Sequence, residues 1–324
     1  MDALSVTTSS QRAWFSARRI GHVNLYISDY ERALDFYRRV VGLHDGWTRP
    51  KISGGFLNNG ASHHDVGFLP WHSPERRVVV DGPGLNHLAF DIGTESDLVE
   101  GYRRATHEAF NFMAAADHVV AKSLYCTAPD GTQIEIYSDT PIKFTDPDFL
   151  AMRRATVAFD PLAIAVPDVT AHYVQSHRPV IRHDTVFQAA RLDGVTLVVD
   201  DVTAVAKFFD QCLGLQRAPL KAASHVLLQG QLGCRDVLLF PSSTALPAGL
   251  HHFSFPVIDA WQLDASTKRA REEGVEIIKE IDDPKQKAVF LRDPDGRVVK
   301  LFADRVPDFW RHEALSLEQA LWLL

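Results

Sequence analysis

Residues 20–42, IGHVNLYISDYERALDFYRRVVG, set the pattern from which most of the chain is built. Val23, Leu25 and Ile27 alternate with His22, Asn24 and Tyr26, the period-2 signature of a strand with one aliphatic face. Ser28 or Asp29 is placed to cap a following helix. Ala33, Phe36, Tyr37 and Val40 fall on one helical stripe. Gly42 stands where a helix would end in a left-handed residue. His22 is the odd member, because it lies on the strand face without aliphatic side chains.

Working outward, the same unit recurs. GLNHLAFDIGTESDLVEGYRRATHEAF (84–110) repeats the strand, with Leu88, Phe90 and Ile92 on one face and His87, Ala89 and Asp91 on the other. Thr94 or Ser96 can cap its helix, which bears Leu98, Tyr102 and Ala105. Strands SLYCTA (123–128) and TQIEIYS (132–138) follow, joined by the turn Pro129-Asp130-Gly131. LDGVTLVVDDVTAVAKFFDQCLGL (192–215) matches 20–43, with Phe208 and Gly214 each 172 residues after Phe36 and Gly42. GLHHFSF (249–255) matches GLNHLAF, and the PDG at 294–296 matches that at 129–131, each 165 residues on. A constant offset over separate landmarks marks an internal repeat of four strand-helix-strand units, two per domain.

This predicts an α+β chain of two domains. Each is a pair of βαβββ modules forming a curved, incomplete barrel-like mixed sheet with helices outside. The expected boundaries are a floppy leader (1–16), a first domain (17–140), a linker (141–191), a second domain (192–305) and a C-terminal helical tail (306–324). That tail carries exposed-looking Trp310, Leu317, Leu321 and Trp322. It is expected to pack on its own domain, with a lid or subunit contact as the alternative.

The 324 residues are 46% hydrophobic and 23% charged, with a net charge of −7. That is an ordinary soluble globular balance with no bulk attraction to nucleic acid or anionic membrane. The three cysteines form neither a disulfide framework nor a CxxC site, which fits a reducing compartment. The first residues lack the apolar core of a signal peptide, and no apolar run is long enough to span a bilayer. A cytoplasmic protein is expected.

Chemistry is carried by the non-aliphatic strand faces of the first domain. They hold His22, His87 and Glu135, the last set between Ile134 and Ile136. If the units close into one curved sheet, all three point into one concave space. Two imidazoles and a carboxylate are the 2-His-1-carboxylate facial triad, which binds Fe(II) and leaves positions open for substrate and O2. Any one of these residues alone would more often be structural or solvated. The second domain is the internal control: the counterparts are Gly194, His252 and Lys300, which cannot make the same site.

Over residues 18–140 and 192–305 the repeat resembles the vicinal oxygen chelate superfamily, and the first domain resembles its type I extradiol (catechol 2,3-type) ring-cleaving dioxygenases. IGHVNL matches the strand of their first metal ligand and gives His22. NHLAF matches the second and gives His87. The strand after the PDG-like turn gives Glu135. SHHDVGF matches their HH pair and gives His64 as acid–base catalyst. LYCTAPDG matches their tyrosine segment and gives Tyr125, and His118 is the nearest match to a third active-site histidine. His63 and His64 point to opposite sheet faces. The resemblance, not strand parity, selects His64, which leaves His63 as a surface or structural residue. In many two-domain members the C-terminal domain holds the metal, and here the order is reversed.

The resemblance implies Fe(II), with Mn(II) as the alternative, a catechol-type substrate, O2, and assembly into a homo-oligomer. Two other readings stand beside it. One is a glyoxalase-like isomerase or thiol transferase using Mn, Zn or Ni. The other is a non-catalytic binder of the bleomycin-resistance type. The pocket rim is expected from residues 47–60, 71–84 and 110–120, where Arg49, Lys51, Arg76 or Arg77 could meet a substrate carboxylate.

Overall fold

The structure is a computed structural model, describing residues 12–49, 54–60, 63–74, 76, 78, 80–143, 157–172, 180–220, 224–312 and 314–324. Four βαβββ modules follow one another. The first is β1 (Arg19–Ile27), α1 (Tyr30–Asp35, continued as a π-helical turn over Phe36–Val41), β2 (His44–Arg49), β3 (Gly54–Asn58) and β4 (Val66–Pro70). The second is β5 (Gly84–Asp91), α2 (Glu95–His107), β6 (Ala114–Asp117), β7 (Ala121–Thr127) and β8 (Gln133–Asp139). A short β9 (Val157–Ala158) adds to the β6 edge. The third is β10 (Gly194–Val199), α3 (Val202–Leu213), β11 (Gln216–Arg217), β12 (Val226–Gln229) and β13 (Val237–Pro241). The fourth is β14 (Gly249–Pro256), α4 (Leu263–Glu272), β15 (Ile277–Asp282), β16 (Gln286–Arg292) and β17 (Val298–Asp304), with α5 (Leu317–Leu323) after it.

Local chemistry explains these elements. Asp29 caps α1 by accepting from the Arg32 N–H at 3.0 Å, and Thr94 caps α2 by accepting from Asp97 at 3.0 Å. Gly42 ends the first helix with φ 94°, in the left-handed region. Beyond α1 the backbone widens into the π-helical turn, so the stripe of Phe36, Tyr37 and Val40 continues in a looser winding than the α-helix expected. Val23, Leu25 and Ile27 are fully buried on the convex face of their sheet.

The strands form two sheets, in the orders β2-β3-β4-β1-β5-β8-β7-β6-β9 and β11-β12-β13-β10-β14-β17-β16-β15. In both, the first strands of the two modules pair antiparallel at the centre, flanked by parallel partners. The registers reproduce the sequence offsets. Asn24 faces His87 as Thr196 faces His252, and Ala89 faces Glu135 as Ser254 faces Lys300. Among the described residues no helix is long and apolar enough to cross a membrane.

The two sheets meet through their helices. Tyr37 stacks on Phe253 of the second sheet at 6.3 Å, while Phe209 of α3 packs on Phe90 of the first at 5.7 Å. One hydrophobic core therefore runs through both halves. Two reciprocal clasps reinforce the seam. Trp14, Phe15 and Ala17 donate backbone N–H groups to the carbonyls of Gln211, Cys212 and Leu213. At the same offset, Val186, Phe187 and Ala189 donate to Arg39, Val40 and Val41. Asp236 accepts from Ile20 N–H at 2.6 Å and Asp65 accepts from Leu192 N–H at 2.9 Å.

These contacts differ from two expectations. Residues 1–11 of the anticipated leader lie outside the described residues, but Trp14 and Phe15 are buried rather than loose. The end of the anticipated linker is likewise packed, with Val186, Phe187 and Ala189 buried. Both stretches carry apolar residues at matching positions, and each closes the helix end of the other half. The C-terminal segment also differs in part. Trp310 is buried, Trp322 is half-buried against Phe290, and Leu317 is exposed.

Candidate metal centre

The concave face of the first sheet collects the residues singled out above. His22 comes from β1, His87 from β5 and Glu135 from β8, three adjacent strands at the centre of the sheet. Nε2 of His22 lies 3.2 Å, and Nε2 of His87 2.8 Å, from the same Glu135 oxygen, Oε2. All three side chains are buried. Gly21 makes room behind them: a Cβ there would sit 2.0 Å from the Tyr137 hydroxyl, so a larger residue would drive the Tyr137 ring off the strand.

Electrostatics put these groups in ligand form. Burial lowers the His22 pKa to about 4, outweighing the Glu135 carboxylate that pulls it up, so the ring is neutral. Burial alone would raise Glu135, but hydrogen bonds from His22 and His87 outweigh it and hold the carboxyl well below the usual carboxylate range. A neutral imidazole and an ionised carboxylate are what a metal requires. The donor atoms lie within 4.8 Å of one another. First-row divalent ions bind N and O at about 2.1 Å, and ligands at right angles then stand about 3.0 Å apart. The two separations to Glu135 bracket that value, so the set could hold a divalent metal ion.

The remaining expected residues surround this set. His64 packs at a tilt against His22, with ring centroids 3.8 Å apart, and against Phe56 at 4.4 Å. Burial holds its pKa well below that of a free imidazole. Tyr125 stands edge-on to His87 at 5.8 Å, and its hydroxyl lies 2.9 Å from Nε2 of His118. The structure thus brings His22, His87, Glu135, His64, Tyr125 and His118 into one site.

Other neighbours were not singled out in the sequence. His63 is buried rather than on the surface, with Nδ1 2.7 Å from Asp139 Oδ1, and its ring lies close enough to His22 and His64 for the three to form a second possible ligand group. Tyr137 shares strand parity with Glu135, a signal that was available. Trp47 and Phe56 stack at 5.9 Å and enter from the β2–β3 edge. Val119 and Ile142 enter from the opposite side, and all four pack on a cluster of Ala89, Val120, Ala121 and Tyr137. Only the curl of the sheet brings these distant strands together. Of the basic rim residues, Arg76 hydrogen-bonds the Ser73 carbonyl at 3.0 Å. Lys51, Arg77 and the Arg49 side chain lie outside the described residues.

Paired βαβββ modules around a two-histidine, one-carboxylate cradle define a class of metal-site folds. The chain belongs to the Glyoxalase/Bleomycin resistance protein/Dioxygenase superfamily, whose model matches residues 19–136 and 191–301. It is 28% identical over 162 residues to a biphenyl-2,3-diol 1,2-dioxygenase of Rhodococcus globerulus, covering 45% of this chain and 80% of that protein. An Mn(II)-bound glyoxalase from Novosphingobium aromaticivorans superposes with a TM-score of 0.66 at 14% identity, covering 95% of this chain and 90% of that one. A 2,3-dioxygenase from Pseudomonas sp. KL28 does so with a TM-score of 0.62 at 16% identity, covering 94% and 98%. At such identities these two structures establish the fold alone.

Proposed function

We propose that the chain is an Fe(II)-dependent extradiol dioxygenase that cleaves a catechol-type diol with O2 in its N-terminal half. The observation that carries this reading is the convergence of His22 and His87 on one Glu135 oxygen, beside the Tyr125–His118 pair. The dioxygenase relative adds support. When bound, the metal supplies Lewis acidity toward the diol oxygens and the one-electron chemistry that lets a closed-shell ring react with O2.

The protein's own residues do the rest. His22, His87 and Glu135 hold one face of the ion. Neutral His64, fixed between His22 and Phe56, accepts a proton from the site and returns it during bond cleavage. The Tyr125 hydroxyl, oriented by His118, donates to a diol oxygen and fixes the ring's approach. The apolar wall of Trp47, Phe56, Val119 and Ile142 excludes water from the reacting ring.

The test is aerobic turnover of a panel of substituted catechols with ferrous iron added. Oxygen uptake together with a yellow ring-opened product is the expected result. Neither signal with any catechol would overturn the proposal and favour the isomerase alternative, which consumes no O2.

A further inference from the structure

Val119 stands at φ 72°, in the left-handed region, where a β-branched residue is an outlier. Two hydrogen bonds fix it there. Its N–H donates to Asp117 Oδ1 at 2.7 Å, and its carbonyl accepts from the Thr140 hydroxyl at 2.7 Å. The Thr140 N–H secures the next carbonyl, of Val120, at 2.9 Å. A turn that only needed this conformation would be served better by Gly or Asn. The valine must therefore be accounted for by what its side chain touches.

That side chain is half-buried in the metal bowl. With Ile142 it packs on Ala89, Val120, Ala121 and Tyr137, the cluster that Trp47 and Phe56 reach from the opposite sheet edge. Ala89 is the ladder partner of both His22 and Glu135, so this cluster adjoins the ligand set itself. Phe56 in turn touches His64.

We propose that Val119 is a specificity-determining residue. With Ile142 it forms one wall of a slot whose other wall is Trp47 and Phe56, and the slot takes the apolar substituent of an alkyl or aryl catechol. This rests on the diol reading above. The slot offers a substituent dispersion contacts and burial. A substrate carboxylate placed there would lose its water against apolar side chains.

The test is anaerobic titration calorimetry of ferrous-loaded wild type, Val119→Gly and Val119→Asn. The ligands are 4-ethylcatechol, 3-phenylcatechol and 3,4-dihydroxybenzoate, with thermal melts run alongside. Both replacements suit left-handed backbone, so neither should lower the melting temperature. Wild type should bind the apolar catechols about tenfold more tightly than the carboxylated one. Both variants should narrow that ratio severalfold. Ile142→Ala, outside the turn, should narrow it in the same direction and serves if the turn variants do not fold. An unchanged ratio in the folded variants, a wild-type preference for the carboxylate, or no binding at all would overturn the proposal. Binding with the expected ratio but no O2 uptake in air would leave the slot standing and sink ring cleavage instead.

Discussion

The two bowls of this molecule share a ladder register and differ in what fills them. In the first, His22, His87 and Glu135 converge beside an apolar cluster of Ala89, Val120, Ala121 and Tyr137. In the second, Gly194, His252 and Lys300 occupy the same rungs, and the chain's own C-terminal segment fills the space. The Lys300 amine is fully buried, donates to the Leu323 carbonyl at 2.8 Å and lies 5.1 Å over the Phe302 ring. Burial drives its pKa well below the usual lysine value. Leu323, Leu324, Phe309 and Trp310 pack on Val198, Leu238 and Phe240 of the same half. Gly194 is more than a missing ligand. A Cβ there would meet the Arg235 carbonyl oxygen at 1.9 Å, so the neighbouring backbone leaves no room for any side chain at this position. The absence of this ligand set is thus a matter of packing as well as of residue identity.

The sharpest break of this contrast is Glu135→Ala, which removes the oxygen both imidazoles face. Metal affinity should fall at least about 100-fold, read by metal content after desalting, and turnover should go with it. Full metal occupancy in that variant would refute the ligand assignment. The mirror change, Lys300→Glu, should gain no metal, because position 194 stays closed.

Next comes His64→Phe. Its counterpart in the second half is Arg235, tied to Asp193 at 2.8 Å and Asp304 at 3.0 Å, a scaffold role. If His64 instead handles protons, the variant keeps its metal and turns over about 10²–10⁴-fold more slowly. A wild-type rate would make His64 scaffold too.

The seam gives a symmetric prediction. Asp236→Ala leaves the N–H groups of Ile20 and Gly230 without their acceptor, and Asp65→Ala does the same for Leu192 and Asn59. Each should cost about 2–4 kcal/mol in denaturant melts. A large inequality would show that one half dominates the seam. Asp236 adds a pH signature. Burial raises its pKa to about 6 against the pull of the Gly230 and Ile20 N–H groups. The folded state then holds this proton more tightly than the unfolded chain. The resulting stability is present below about pH 4 and is lost as pH rises through about 6, a change on the order of 3 kcal/mol. Asp236→Asn should flatten that slope.

The smallest effect is expected from Lys300→Met, which keeps most of the volume and removes the donor to Leu323. A loss of about 1–3 kcal/mol is expected, with no change in turnover. Altered turnover would mean that the plugged bowl communicates with the open one.

Much of this was legible because strand parity and a constant offset survive folding unchanged. His22, His87 and Glu135 could be placed on one concave face from their ladder positions alone. The clasps at Trp14–Ala17 and Val186–Ala189 were also written in the sequence, as matched apolar residues. They were hidden because each bonds to the other half rather than to its neighbours. Trp47, Phe56, Val119 and Ile142 were not legible. Their meeting depends on sheet curvature and, at Val119, on a backbone angle that valine seldom adopts. Nor was the burial of His63 legible, because its partner Asp139 lies on a strand distant in the sequence.

The reciprocal clasps have a consequence for the chain as a whole. Each half supplies the other with the terminal hydrogen bonds of its helix and the anchor of its leading strand. The half without the ligand set therefore cannot be removed without exposing the helix end and leading strand of the other. Separately expressed halves should be poorly soluble alone and regain structure on mixing. Each copy of the repeat thus acts as a template for the other, and the second half contributes through the shape that it imposes on its twin.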